Sequence, residues 1–339
     1  VKALLVVLMA LFLLAGCAGS APPSGDQPSW VVGGEPASYP RESYLSAVGT
    51  ADHRELAHDR ARAELARAFE VHVTAATQQE DRLAFGDGET RHRATLGQQV
   101  ATRTAVTLRG VEIGETWREP QSGRYHVLAV MDRQQAASAL REGIAGLDAA
   151  TSRYLRQADA AADPLHALAA LARGLEAQRQ RAEYQQALRV LTGAGMTVRY
   201  ELAVLRARLA AEAGSIPFGI GARGDHAERV ASKLRASVAA AGFRVDERED
   251  AYRLEAVLEL EDLGQRDGWY WQRGGLTLRL LDDAGEVRGE QRWPVRGAAT
   301  DYTTAERRAL EQAFERLGED LFGLIIALAV GQGESAPRG

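Results

Sequence analysis

The feature that most limits what this chain can become is an unbroken apolar run, Ala3 to Leu14 (ALLVVLMALFLL), followed by Ala15, Gly16 and then Cys17, the only cysteine in 339 residues. Crossing a bilayer core takes about 20 apolar residues, so the run is too short to span one. With Lys2 in front of it, it has the shape of the apolar stretch of a secretory signal. A single cysteine excludes an intramolecular disulfide framework and any zinc site built on several cysteines. The folded part must therefore be held by apolar cores, and a hydrophobic share of 45 % is ordinary for that.

The four residues Leu14-Ala15-Gly16-Cys17 resemble a bacterial lipobox. Small residues before the cysteine let a peptidase bring the backbone close. The Cys17 thiolate can accept a diacylglyceryl group, and cleavage before it frees an amine for another acyl chain. Each buried CH₂ contributes about 0.8 kcal/mol, so two or three chains anchor a protein firmly. Residues 1–16 are therefore expected to be a lipoprotein signal peptide, with Leu14, Ala15 and Gly16 read by the peptidase and Cys17 acylated. Ala18 follows where retained lipoproteins carry aspartate, which by resemblance implies release to the outer membrane, facing the periplasm. Residues 17–29, small, polar and proline-rich, read as a flexible tether. The formal charge of −5 offers no basic field for nucleic acid or anionic lipid, so the expected membrane contact is through the acyl chains alone.

Along the mature chain, Tyr44 to Ala51 alternates as a strand. Asp52 is then expected to cap a helix with apolar positions at Leu56, Ala57, Ala61, Leu65, Ala66 and Phe69. An extended stretch is expected from Val71 towards Leu83, and a helix over 96–108. Gly110–Arg118 and Arg124–Met131 read as strands joined by a Glu119–Gly123 turn, and a helix starts near Asp132. From Asp148 to Gly214 the period is helical. Asp163-Pro164 is a helix start, and Leu165, Leu168, Leu171, Leu175, Leu188 and Leu191 form a stripe. Beyond Ser215 come a helix ending at Gly242, short strands, a hairpin across Asp282–Gly285 and a closing helix with Leu310, Phe314, Leu317 and Leu321. In Tyr252–Leu263, Leu254, Ala256, Leu258 and Leu260 point one way, while Arg253, Glu255, Glu259 and Glu261 point the other. One face of this meander should be wet and the other covered by helices. The expected class is α+β: two small antiparallel-sheet-plus-helix domains, 30–147 and 215–330, separated by an antiparallel helical section, 148–214, with a disordered tail at 331–339.

Several short patterns carry a resemblance. Pro28-Ser29-Trp30, Tyr39-Pro40, Tyr44 to Gly49 before an alanine-rich helix, Val111-Glu112-Ile113, Trp117 and Tyr125 to Asp132 resemble the LPP-twenty family of bacterial lipoproteins, over roughly residues 28–145. The resemblance implies an exported envelope lipoprotein with an α+β domain and no assigned enzymatic activity, and it transfers no catalytic residue.

Candidate chemistry is sparse. Gly219-Ile220-Gly221-Ala222-Arg223-Gly224 is a literal G-x-G-x-x-G with Asp246 downstream. The segment before it, Ile216-Pro217-Phe218, is short and holds a proline, a meander follows Asp246, and export removes the chain from nicotinamide cofactors. A glycine-rich turn is the better reading, and no cofactor is expected. His53, His58, His72, His92, His126, His166 and His226 are scattered without metal-ligand spacing, so no metal is expected. Trp269-Tyr270-Trp271 is the candidate binding surface. Its two tryptophans at i, i+2 share a strand face. They either cap the meander's core beside Trp293, the preferred reading, or offer indoles to a sugar or a partner. The expected role is a non-enzymatic scaffolding or assembly factor of the cell envelope with protein partners. The alternative is a glycan- or peptidoglycan-binding module using Trp269 and Trp271.

Overall fold

The structure, a computed structural model, describes residues 27–85, 110–246 and 252–331. The expectations for Leu14, Ala15, Gly16 and Cys17, for His92, for a helix over 96–108 and for the tail at 332–339 lie outside the described residues. The chain divides into two compact units: residues 1–141 with 184–195, and residues 142–183 with 196–339. Both combine sheet and helix, so the class is α+β.

In the first unit, strands β1 (Tyr44–Ala51), β2 (Val111–Arg118) and β3 (Tyr125–Asp132) form an antiparallel sheet in the order β1-β3-β2. The central strand is apolar on both sides because both are covered: Val127, Leu128, Ala129, Val130 and Met131 are all buried. One face carries helix α1 (Arg54–Phe85), whose Ala57, Ala61, Leu65 and Phe69 are buried at helical spacing. Gly49 of β1 makes this close approach possible, since a Cβ there would sit 2.2 Å from the Ala61 nitrogen. On the other face the chain's lead-in lays Trp30 against Leu128 and Val130. The Trp30 indole N–H donates to Glu115 Oε2 at 2.6 Å, and the rings of Tyr39 and Tyr44 meet edge to face at 5.2 Å.

The extended stretch expected from Val71 to Leu83 is helix instead, and α1 runs on to Phe85. The β-branched Val71 and Val73 suggested a strand. However, Val73 lies four residues after Phe69 and is 2 % exposed, so it continues the buried stripe, and packing overrides propensity. Asp132 caps helix α2 (Arg133–Ala160) by accepting from the Gln135 N–H at 2.8 Å.

In the second unit, Asp163 caps helix α3 (Pro164–Thr192) by accepting from the N–H groups of Leu165 and His166. The expected stripe is buried at Leu165, Leu168, Leu171 and Leu175. A polar knot joins α2 to α3. Arg181, 2 % exposed, donates from Nε to Asp148 Oδ1 at 3.2 Å and from Nη2 to the Thr197 carbonyl at 2.6 Å. Gln178 donates to Asp148 and to the Thr151 hydroxyl. Helix α4 (Leu202–Ser215) leads into a five-stranded sheet made of β4 (Pro217–Gly224), β5 (Arg244–Val245), β6 (Tyr252–Arg266), β7 (Trp269–Leu281) and β8 (Val287–Ala299), ordered β5-β4-β6-β7-β8. The strands β6, β7 and β8 form an antiparallel meander, and β4 runs parallel to both β5 and β6. Helices α5 (Ala227–Ala240), α6 (Tyr302–Gly318) and α7 (Leu321–Ala329) cover one face of this sheet. There Phe218, Leu254, Leu258, Leu276 and Leu280 are fully buried with Leu234, Leu317 and Ile325. Among the described residues no helix is long and apolar enough to cross a membrane.

The glycine-rich segment expected as a turn is strand β4 itself, which corrects that reading. Its glycines serve the sheet. Gly224, at φ 82°, lies so close to β6 that a Cβ would fall 2.1 Å from the Leu258 carbonyl oxygen. In a dinucleotide site these glycines would form the loop after the strand, where backbone N–H groups face a pyrophosphate. Here they pair with Arg253 to Leu258 of β6.

Candidate functional site

The second face of the five-stranded sheet carries the candidate surface, and strand alternation decides which side chains reach it. In β6 the core side takes Leu254, Ala256 and Leu258, leaving Arg253, Glu259 and Glu261 exposed opposite. The pairing of β7 with its neighbours carries the same division across the sheet. Arg273 faces Glu261 on one side and Arg296 on the other, and Arg279 faces Glu255 and Glu290. Directly opposed residues in an antiparallel pair share a face. The expectation of one charged, wet face and one covered by helices is met.

Two ion pairs organise part of this face. Arg223 of β4 reaches Glu255 at 2.8 Å, and Arg279 reaches Glu290 across β7 and β8 at 3.0 Å. Glu255 is itself buried at 8 % exposure. A buried carboxylate needs a partner, and Arg223 supplies it from strand β4, which precedes β6 in sequence. Gly275 leaves a bare spot that Arg292 lies over: a Cβ at 275 would come within 3.0 Å of its Nε.

The sequence candidates Trp269, Tyr270 and Trp271 open β7 beside a tight turn at Asp267-Gly268, both at positive φ. Trp269 and Trp271 are 44 % and 42 % exposed and point to one side, whereas Tyr270 is half-buried on the other. Trp293, their expected companion, pairs with Leu276 and packs with the core. The indoles therefore do not cap the core beside Trp293, which corrects the preferred reading. Position 271 is odd and the core positions 276, 278 and 280 are even, so the side was countable from the strand period.

Arg273 and Arg296 were not singled out from sequence, because their juxtaposition depends on the β7–β8 register. Of the histidines, His126 Nδ1 lies 3.2 Å from the Thr50 hydroxyl, and His226 lies 3.2 Å from Glu306. Among the described residues no three His, Cys, Asp or Glu side chains gather as a metal ion would require. A separate open groove of about 460 Å³ lies between α5 and the α6–α7 junction, lined by Lys233, Ser237, Asp320, Leu321 and Phe322. Asp320 is engaged there in capping α7, accepting from the Gly323 N–H.

Comparison with known proteins bears on the first unit. The model of the LPP20 lipoprotein family matches residues 28–132, which hold β1, α1, β2 and β3. The resemblance read from Trp30, Tyr39, Tyr44, Gly49 and Trp117 is thus found over that segment. In the structure these residues pack the sheet's two faces. No curated protein sequence matches the chain. Among solved structures, a secreted protein of Helicobacter pylori is 14 % identical, with 85 % of this chain and 98 % of that one covered at a TM-score of 0.44. A minor lipoprotein of Acinetobacter baumannii is 14 % identical over 36 % of this chain and 96 % of that one, at 0.25. The rare lipoprotein B of Shewanella oneidensis is 12 % identical over 34 % and 92 %, at 0.22.

Proposed function

We propose, from the LPP20 lipoprotein match over residues 28–132, that this chain is a lipoprotein anchored to the outer membrane through Cys17 and facing the periplasm. It acts there without catalysis, as a scaffolding or assembly factor of the cell envelope. The lipobox Leu14-Ala15-Gly16-Cys17, the following Ala18 and the proline-rich tether support the anchor. The observation that carries the scaffolding role is the uncovered face of the five-stranded sheet, whose ordered charges end in two exposed indoles. Exposed aromatic and arginine side chains are the residues that dominate protein interfaces. A photo-reactive residue at Thr277, in the middle of this face, should yield a discrete cross-linked adduct in intact cells, and one at Arg62 on α1 should not. Equal adducts from both positions, or none from Thr277, would contradict the reading.

A second reading, glycan binding, is favoured by the indole pair itself. Trp269 and Trp271 lie on one strand face about 6.7 Å apart along the chain, uncovered, and supply flat apolar surfaces of the kind that sugar rings stack upon. Retention on purified peptidoglycan that is lost in Trp269→Ala/Trp271→Ala supports it. Retention unchanged by that double substitution contradicts it.

A further inference from the structure

We propose that the indole end of the open sheet face binds an acidic glycan, with Trp269 and Trp271 beneath its sugar rings and the guanidinium groups of Arg273 and Arg296 on its carboxylates; this rests on the glycan reading above. Charge on this face is unevenly placed. Arg273 and Arg296 are direct cross-strand partners, and both are exposed on the same face. Side chains so placed have Cβ atoms about 5 Å apart, and like charges there are destabilising. Elsewhere on this face two arginine–glutamate contacts are made, Arg223 to Glu255 and Arg279 to Glu290. Among the described residues no ion pair joins Arg273 or Arg296 to a carboxylate. Glu261 of β6 stands opposite Arg273 on its other side, so the row Glu261, Arg273, Arg296 keeps one positive charge more than it has carboxylates, with Arg296 two strands away from Glu261, and an external anion would neutralise that excess. Each planar fork can hold one carboxylate by two parallel N–H bonds, so the pair suits a ligand that carries carboxylates.

The arginine pair is one end of a line. Trp269, Trp271 and Arg273 stand at i, i+2 and i+4 of one strand, so indole, indole and guanidinium pair follow one another over roughly 13 Å. A compact anion would use the arginines and leave the indoles idle. An extended chain of sugar rings that carries carboxylates, on the rings or on short peptides attached to them, uses the whole line. The guanidinium of Arg292, lying across Gly275, continues the cationic strip in the same direction.

Two further observations favour a glycan over a bilayer or a nucleic acid. The turn between β6 and β7, Asp267-Gly268, and the end of β6 before it, Gln265-Arg266, carry no aliphatic side chain to insert among lipids, and the turn carries an aspartate. On β6, directly opposite Gly275 and Arg273 of β7, stand the exposed carboxylates Glu259 and Glu261. They would repel a dense run of phosphates. They accept hydrogen bonds from sugar hydroxyls, which a glycan with spaced charges supplies on every ring.

The test uses the chain from Ala18 to Gly339, which keeps every described residue, and peptidoglycan sacculi as the probe, before and after carbodiimide amidation of their carboxyl groups. The wild type should bind native sacculi saturably and amidated sacculi roughly tenfold more weakly, the worth of one charge-assisted contact. Arg273→Gln/Arg296→Gln should bind both at that weaker level, with an unfolding midpoint close to the wild type's because removal of the Arg273–Arg296 repulsion offsets loss of the Arg273–Glu261 attraction. Trp269→Ala/Trp271→Ala should lose both. Equal wild-type binding to native and amidated sacculi would overturn the acidic-glycan assignment and leave the glycan reading standing. Absence of wild-type binding to either would overturn both. Arginine-dependent binding to phosphatidylglycerol vesicles in place of sacculi would make the surface a membrane contact and overturn the proposal as well.

Discussion

Gly49→Ala adds one methyl group where helix α1 rests on strand β1, and the geometry sets its cost. The new Cβ would lie 2.2 Å from the Ala61 nitrogen, 2.5 Å from the Ala57 carbonyl oxygen and 2.7 Å from the Ala61 Cα. All three are backbone atoms, so no side chain can rotate away. Relief to ordinary contact requires the helix to lift by about 1 Å, and a gap of that size already forfeits a quarter to a half of each contact it opens. Ala57, Ala61, Leu65 and Phe69, none more than 6 % exposed, would all lose part of their packing. Overpacking alone costs about 1–3 kcal/mol. The unfolded-state gain from replacing glycine returns roughly 0.5–1 kcal/mol. Because the obstructing atoms are all backbone the cost falls at the upper end, and a net loss of about 2 kcal/mol should lower the melting midpoint by about 4–8 °C for a body of this size, followed by far-UV circular dichroism. Gly146→Ala is the counterpart. That glycine is exposed within α2 with nothing within 4 Å of its would-be Cβ, so the change should raise the midpoint by about 2–4 °C. An unchanged midpoint for Gly49→Ala would refute the account of how this helix meets the sheet.

Three other outcomes are expected. Arg181→Met leaves Asp148 and the Thr197 carbonyl without their buried donor and should cost about 3 kcal/mol or more in urea unfolding, most of it recovered in Arg181→Met/Asp148→Leu; equal losses in the single and double variants would contradict this. Burial pushes the Asp163 carboxyl up, but the His166 N–H and Arg288 outweigh it and hold it below its ordinary value of 3.8. A carboxyl depressed on folding contributes stability above its unfolded value that is lost as pH falls through the folded one. Asp163→Asn, which can still cap α3, should therefore flatten the stability profile below pH 3.8, and an acid limb identical to the wild type's would count against that linkage. Finally, iodide should quench the emission of Trp269 and Trp271 while Trp30, at 3 % exposure, stays shielded, so Trp269→Phe/Trp271→Phe should remove most of the quenchable signal.

What could be read before folding depended on how far apart the deciding residues stood. The alternation of Leu254, Ala256 and Leu258 against Arg253, Glu259 and Glu261 is local, and it placed the wet face of β6 correctly. Glu255 broke that pattern by being buried, because its partner Arg223 arrives through the parallel pairing of β4 with β6. The glycines of β4 looked like a turn because their close neighbour, the Leu258 backbone, is equally remote in sequence. Val71 and Val73 misled through their β-branching, and only the buried stripe from Leu65 through Phe69 shows why the helix continues. At the candidate site the indoles were visible from sequence. The guanidinium pair beside them was not, since it exists only in the register that sets Arg273 opposite Arg296.

The claim on which the account most depends is that Cys17 is acylated and holds the chain to the outer membrane. Metabolic labelling with a palmitate analogue, followed by separation of inner and outer membranes, tests it directly. The wild type should carry label and fractionate with the outer membrane. Cys17→Ser should carry none and accumulate uncleaved, held by its own apolar run from Ala3 to Leu14. An unlabelled wild type, or label that persists in Cys17→Ser, would contradict the lipoprotein reading.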